Sequence, residues 1–268
     1  MNTKNLAGSR NSYTVNKFYI GLHQITDAKH FSRACLSIRR LQGRKKPIGC
    51  KDVLVDSAAF TELNLYGEYR RSTADYAAEL HRLHTGNVVN ISAAVAQDYM
   101  CEAFMLRKTG MTVAQHQQRT IRRYDRLLLR LNELFDYQIP FHVMPVLQGY
   151  TVHEYVTHVR MYGDRLKPEM WVGVGSVCKR NASPKSVAFV LAAIKKVRPD
   201  LLLHGFGIKE TALKDHTVRS LLHTSDSLAW SWAARWEGRD QNDWHEAKHY
   251  TDKVEQIMKI PGYRKIWV

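Results

Sequence analysis

Short apolar runs and amphipathic stretches take turns along this chain about seven times, and that alternation constrains the fold more than any other feature. KFYIGLH (17–23), DVLVDS (52–57), VVNISAAVAQ (88–97), FHVMPVLQG (141–149), WVGVGS (171–176), LLLHGFG (201–207) and the weaker TSDSLAW (224–230) read as strands. Between them the spacing predicts helices over 27–41, where Asp27 can cap and Phe31, Ala34, Leu36 and Ile38 are apolar, and over 72–83, 112–135, 151–163 and 183–197. A last helix is predicted around 243–258. Alternating units of this kind build a parallel sheet, because each crossover needs a helix to carry the chain back. Seven visible units without a linker, repeat or composition break predict one α/β domain, a TIM-like (β/α)₈ barrel whose eighth strand is not visible. The expected division is a tail over 1–16 and the barrel with its C-terminal helix over 17–268.

No run approaches the roughly 18–20 apolar residues that span a bilayer, so no membrane partner is expected. The first residues, MNTKNLAGSRNSYTVNK, lack the apolar segment of a secretory signal. Cys35, Cys50, Cys101 and Cys178 are far apart, which fits reduced thiols in a cytoplasmic protein. Forty Lys and Arg against 25 Asp and Glu leave a net charge of +15 in 268 residues, a balance that attracts polyanions such as nucleic acid. RRLQGRKKP concentrates Arg39, Arg40, Arg44, Lys45 and Lys46 in an expected loop. Arg119, Arg122, Arg123, Arg126 and Arg130 share a helix face opposite Leu127, Leu128, Leu131 and Leu134; a phosphate-binding stripe and a solvated face both fit that pattern.

In a parallel barrel the loops after the strands form the active site. There this chain places Asp56, Asp98, Gln148-Gly149, Gly173 and Gly175, Gly205 and Gly207, and Asp226. A single strand-end Asp can simply cap the next turn. Three of them, with an amide and several glycines on one rim, point to a shared site, since an uncompensated buried charge costs several kcal/mol.

The order of these stretches resembles the queuine and archaeosine tRNA-guanine transglycosylases. DSAAF is similar to their DSGGF/Y-Q, AVAQDYMCE to their strand ending in F-D-E-C, and PVLQGY to V-Q-G-G/S. WVGVGS resembles A-V-G-G-L, LLLHGFG resembles Y-L-M-G-V-G, and TSDSLAWSWAAR resembles F-D-C-V-x-P-T-R, all in order across 52–235. The resemblance implies exchange of guanine for a 7-deazaguanine, such as 7-cyano-7-deazaguanine, through a covalent intermediate at C1′. It makes Asp226 the nucleophile and Asp56 the proton-transfer group. Asp98 is expected to bind the base, with Gln148, Gly149, Gly173, Ser57, His204 and Gly205 around it and Phe60 stacked on it. Elementary chemistry supports the division: a carboxylate can trap an oxocarbenium-like centre, and two carboxylates in one pocket push their pKa values apart.

The departures matter as much. Ala58 and Ala59 replace two glycines, Thr61 stands where the tRNA enzymes usually carry Gln, and His204 where they usually carry Met. No cysteine follows Cys178, so the C-terminal zinc subdomain of the tRNA enzymes is missing and no metal or cofactor is expected. Those losses resemble the DpdA-like DNA-guanine transglycosylases, a largely phage and bacterial branch. The implied partners are DNA, with tRNA as the alternative, and the free 7-deazaguanine base; helper proteins that open the duplex are further candidates. A non-catalytic nucleic-acid-binding barrel is the other alternative. Lys179, Arg180 and Arg235 are candidate phosphate contacts. Trp230, Trp232 and Trp236 are expected mostly to pack under the rim, with base stacking as the alternative use. DWHEAKHY formally matches the H-E-x-x-H zinc helix, but no His or Cys follows, so a solvated helix face is expected there.

Overall fold

A computed structural model describes residues 17–180 and 182–260; the expected tail over 1–16 lies outside the described residues, as does the end of the chain after 260. The strands are β1 (Lys17–Gly21), β2 (Arg33–Ser37), β3 (Asp52–Asp56), β4 (Ile91–Val95), β5 (His142–Met144), β6 (Val146–Leu147), β7 (Trp171–Val174), β8 (Leu202–Gly205) and β9 (Thr224–Ser227). All pairings are parallel, in the order β5-β4-β3-β2-β1-β9-β8-β7-β6. β5 and β6 are two halves of one strand interrupted at Pro145, which has no N–H to give a ladder. Carbonyls on either side of the break pair in opposite directions: Met144 accepts from Ala96 N–H at 3.0 Å and Pro145 from Gly173 N–H at 2.9 Å. The sheet thus begins and ends on the same stretch of chain. It is the expected barrel, nearly closed, with helices around it.

The strand missing from the sequence reading is β2, which occupies the middle of the helix expected over 27–41. Ile25–His30 forms only a 3₁₀ turn, β2 follows, and the helical part shrinks to α1 (Ile38–Leu41). β2 aligns along all five residues of β3, from Arg33 beside Asp52 to Ser37 beside Asp56.

The outer helices that carry the chain back are α2 (Ala59–Tyr66), α3 (Thr73–Thr85), α4 (Ala103–Thr109), α5 (Val113–Leu134), α6 (Val152–Tyr162), α7 (Pro184–Val197), α8 (Glu210–Leu213), α9 (His216–Leu221), α10 (Ala229–Trp236) and α11 (Trp244–Lys259). Helices α3, α5 and α6 start with reciprocal capping boxes, Ser72 with Asp75, Thr112 with Gln115 and Thr151 with Glu154. Of the arginines on α5, Arg119 and Arg123 lie over tyrosine rings: Arg123 sits 4.6 Å from the Tyr69 centroid and also donates to Gln97.

Period-two alternation divides each strand between two cores. Phe18, Ile20, Val53, Val55, Val172 and Leu203 point outward into the layer under the helices. Tyr19, Leu54, Ala93, Val95, Met144 and Val146 point inward, with Cys35, Trp171 and Phe206 packed on them. Asp56 lies two residues beyond Leu54, and Asp226 two beyond Thr224, so the same alternation turns both carboxylates into the barrel mouth. Among the described residues no helix is long and apolar enough to cross a membrane.

Candidate active site

The mouth of the barrel opens into a cavity of about 940 Å³ whose wall includes Asp56, Asp98, Gln148 and Asp226. Phe60, Phe206 and Met100 add apolar surface to it. Three carboxylates from β3, β9 and the loop after β4 thus meet in one volume, large enough for more than a purine ring.

Asp226 is held from one side. Its Oδ1 lies 3.1 Å from the Gly207 N–H and 3.2 Å from Nε2 of His204. The other His204 nitrogen lies 2.8 Å from the Thr224 hydroxyl, which is 2.7 Å from the Trp171 indole N–H. An indole N–H can only donate and an ionised carboxylate only accept, so one proton arrangement satisfies the whole chain: Trp171 to Thr224, Thr224 to His204 Nδ1, His204 Nε2–H to Asp226. Oδ2 has no hydrogen-bond partner among the described residues, and the side chain is 14% exposed.

Asp56 accepts the Ala58 N–H at 2.9 Å. Burial raises its pKa to about 6, with the Asp226 charge adding to the effect and the Ala58 and Ser57 amides opposing it. Ala58 achieves this contact in the left-handed region, φ +66°. A glycine would sit there freely; alanine carries strain.

Asp98 is buried and accepts from the Gln148 amide nitrogen. Burial raises its pKa to about 7; the Gln148 bond opposes that, and the charges of Asp56 and Glu102 reinforce it. Gln148 is itself fixed. Its amide oxygen accepts from Ser176 at 2.8 Å, its backbone N–H donates to His158 at 2.8 Å, and its carbonyl accepts from Gln117 at 2.7 Å. Burial lowers His158 to about 3, which keeps the ring neutral and able to accept. Gly175 makes this packing possible, since a Cβ there would lie 2.1 Å from the Gln148 amide nitrogen. Ser176 also faces Glu102, whose pKa burial raises and whose Oε1 has no partner among the described residues.

Of the residues singled out in the sequence, Asp56, Asp98, Gln148, Phe60 and Asp226 line the cavity. Ser57, Gly149, Gly173, His204 and Gly205 stand behind its wall. Ser57 is 3.3 Å from the Tyr69 hydroxyl, and His204 lies beneath Asp226. A Cβ on Gly173 would meet the Phe206 ring at 2.4 Å, on Gly205 the Ile208 side chain at 2.7 Å, and on Gly149 the Tyr155 backbone at 2.9 Å. Lys179 lies over the Phe60 and Phe104 rings, 5.6 and 5.5 Å from their centroids; Arg180 lies over Tyr150, and Arg235 is exposed on α10. The sequence reading did not put Cys35, Ser37, Arg39, Arg40 or Arg44 on this cavity, because they follow from β2. Burial first, then the charges of Asp226 and Asp56, pushes the Cys35 thiol up, so it is no nucleophile at neutral pH. The tryptophan expectation holds for Trp230 alone, whose indole donates to the Gly21 carbonyl at 2.8 Å; Trp232 and Trp236 are exposed.

The H-E-x-x-H stretch starts α11. His245 pairs with Asp243 at 2.7 Å, and Glu246 with Arg239. Among the described residues no group of three or more His, Cys, Asp or Glu side chains could hold a metal ion.

A parallel barrel with carboxylates gathered at its mouth defines an enzyme-like α/β protein with a carboxylate-lined pocket. The model of the DpdA family, deoxypurine in DNA protein A, matches residues 15–247, and the chain belongs to that family. Membership makes it a transglycosylase-type enzyme of deoxypurine modification with DNA as its substrate. No curated protein matches the sequence.

Proposed function

We propose that the protein exchanges guanine in DNA for a free 7-deazaguanine through a covalent bond between Asp226 and C1′. The observation that carries this reading is the one-sided hold on Asp226: two donors take Oδ1, leaving Oδ2 to attack. Attack forms the Oδ2–C1′ bond as the C1′–N9 bond breaks, and its electron pair leaves on guanine. The departing base takes a proton from Asp56, whose raised pKa keeps a protonated fraction near neutrality. The incoming 7-deazaguanine then loses its N9 proton to Asp56, N9 attacks C1′, and Asp226 leaves as a carboxylate. Reactants and products balance, and no cofactor enters.

Base recognition falls to Asp98. Ionised, it accepts the adjacent ring and amino N–H groups that guanine and 7-deazaguanine share, while the polar groups of Gln148 and Ser176 face the carbonyl edge. Phe60, half exposed and on the cavity wall, supplies the ring on which the base stacks in this reading. The target nucleotide must leave the duplex stack to reach Asp226, so a single-stranded or everted substrate is required.

The test is mass spectrometry of nucleosides from DNA and tRNA of cells expressing the protein with a 7-deazaguanine supply. Modified deoxyguanosine in DNA is the expected result. Modification of tRNA alone would move the substrate to RNA. Binding of DNA without modification of either would make the barrel a non-catalytic subunit.

A further inference from the structure

One sector of the rim carries cations and indole rings that the pocket chemistry does not use. β9, β1 and β2 are neighbours in the ring, so α10, the loop after β1 and α1 follow one another around the mouth. Arg39, Arg40 and Arg44 line the mouth on the β2 side. Arg39 is neutralised by Glu62. Among the described residues Arg40 has no carboxylate partner, and the Arg44 guanidinium donates to the carbonyls of Lys46 and Pro47, at 3.0 and 3.4 Å, and to no carboxylate. On the β1 loop, His23 bonds Ser231 of α10 at 2.9 Å. The next residue, Trp232, is 58% exposed, and Trp236, one turn on, is 81% exposed. Residues four apart share a helix face, about 6 Å apart along the axis. The exposed Arg235 lies between them in sequence. Two flat, solvent-facing rings on the same sector of the rim as guanidinium groups with no carboxylate partner among the described residues, in a chain of net charge +15, are complementary to a strand with flat bases and an anionic backbone.

We propose that the DNA strand flanking the exchanged nucleotide runs along this β9–β1–β2 sector, its bases stacked on Trp232 and Trp236 and its phosphates on Arg40 and Arg44. The proposal rests on the DNA reading above but not on the exchange chemistry. Because β9 carries Asp226 and leads directly into α10, a nucleotide bound at Asp226 delivers its neighbours to the tryptophans.

The experiment uses oligothymidylate, which contains no guanine and so reports binding without exchange. Quenching of tryptophan fluorescence is titrated across a salt series for the wild type, W232A/W236A and R40A/R44A, with circular dichroism confirming that both variants fold. W232A/W236A is expected to lose most of the quenching and bind about tenfold or more weakly. R40A/R44A is expected to reduce the slope of log K against log salt by about 1.4, the contribution of two single-strand phosphates. Wild-type affinity and slope in both variants would overturn the proposal. So would a wild-type dimer in sedimentation that W232A/W236A disperses without changing oligonucleotide binding, since the tryptophan face would then serve self-association. A wild type that binds oligothymidylate as described but exchanges no guanine removes the enzymatic reading and leaves the track. Full exchange by both variants removes the track and leaves the enzyme.

Discussion

His204 and Asp226 face each other 3.2 Å apart across neighbouring strands, and the histidine is fully buried while the carboxylate opens to the cavity. The contact arises from register: His204 of β8 lies beside Thr224 of β9, so its ring reaches the next inward-facing residue of that strand. The imidazole stands behind the cavity wall against the carboxylate, so in the proposed reaction it acts as a positioning residue.

His204→Met therefore should lower kcat for base exchange about tenfold or more, the worth of one hydrogen bond to a charged group, with the dissociation constant of the free base unchanged. His204→Gln, which keeps an N–H donor, should recover part of the rate. Equal loss in both variants, or a loss confined to KM, would show that the ring only fills space.

Binding of the free base should follow the ionisation of Asp98. Burial raises its pKa in the empty site to about 7, and in the proposed reading only the ionised form accepts both N–H groups of the base. Affinity for a 7-deazaguanine should rise with pH up to about 7 and level off above it, falling roughly tenfold per unit on the acid side. Calorimetry from pH 5 to 8 checks this; a flat profile would contradict it.

The same burial has a stability consequence of opposite sign. A carboxylate whose folded pKa lies above its unfolded value favours the fold only when protonated, so its contribution is lost as pH rises from about 4 to about 7. Asp98→Asn keeps the shape and removes the charge. It should stabilise the protein at pH 8 by on the order of 2–4 kcal/mol, seen as a higher melting temperature, and leave the melting temperature nearly unchanged at pH 4. Scanning calorimetry at both pH values measures the difference.

Ala58 holds the left-handed turn that presents its N–H to Asp56. Ala58→Gly removes the Cβ strain at the cost of unfolded-state entropy and should be stabilising by about 1 kcal/mol or less, whereas Ala58→Val should be clearly destabilising. Urea midpoints of the three proteins test the ordering.

The strand-end acids were legible in the sequence because strand period and position need no tertiary knowledge: Asp56 follows Leu54 by two, and the turn after β9 begins just beyond Asp226. β2 was misread because Asp27 offered a cap and Phe31, Ala34, Leu36 and Ile38 fit a loose helical spacing. Yet 34, 36 and 38 also alternate, and in the fold they face the outer core while Cys35 faces the pocket. Losing β2 left the mouth arginines without a place. The hold of His204 on Asp226 was equally hidden, since it depends on a pairing register between strands that neither segment records alone. Exposure of Trp232 and Trp236 departs from the expectation that most of the three tryptophans pack under the rim, because α10 buries Trp230, Ser231 and Ala234 instead.

The central claim is that Asp226 bonds covalently to the sugar, and the most direct measurement is intact mass of the protein after reaction with a guanine-containing single-stranded oligonucleotide, quenched by denaturant. The wild type should carry the mass of the oligonucleotide less guanine, and adding a 7-deazaguanine should release it; Asp226→Ala should show no adduct. An adduct retained by Asp226→Ala, or full exchange by that variant, would contradict the account.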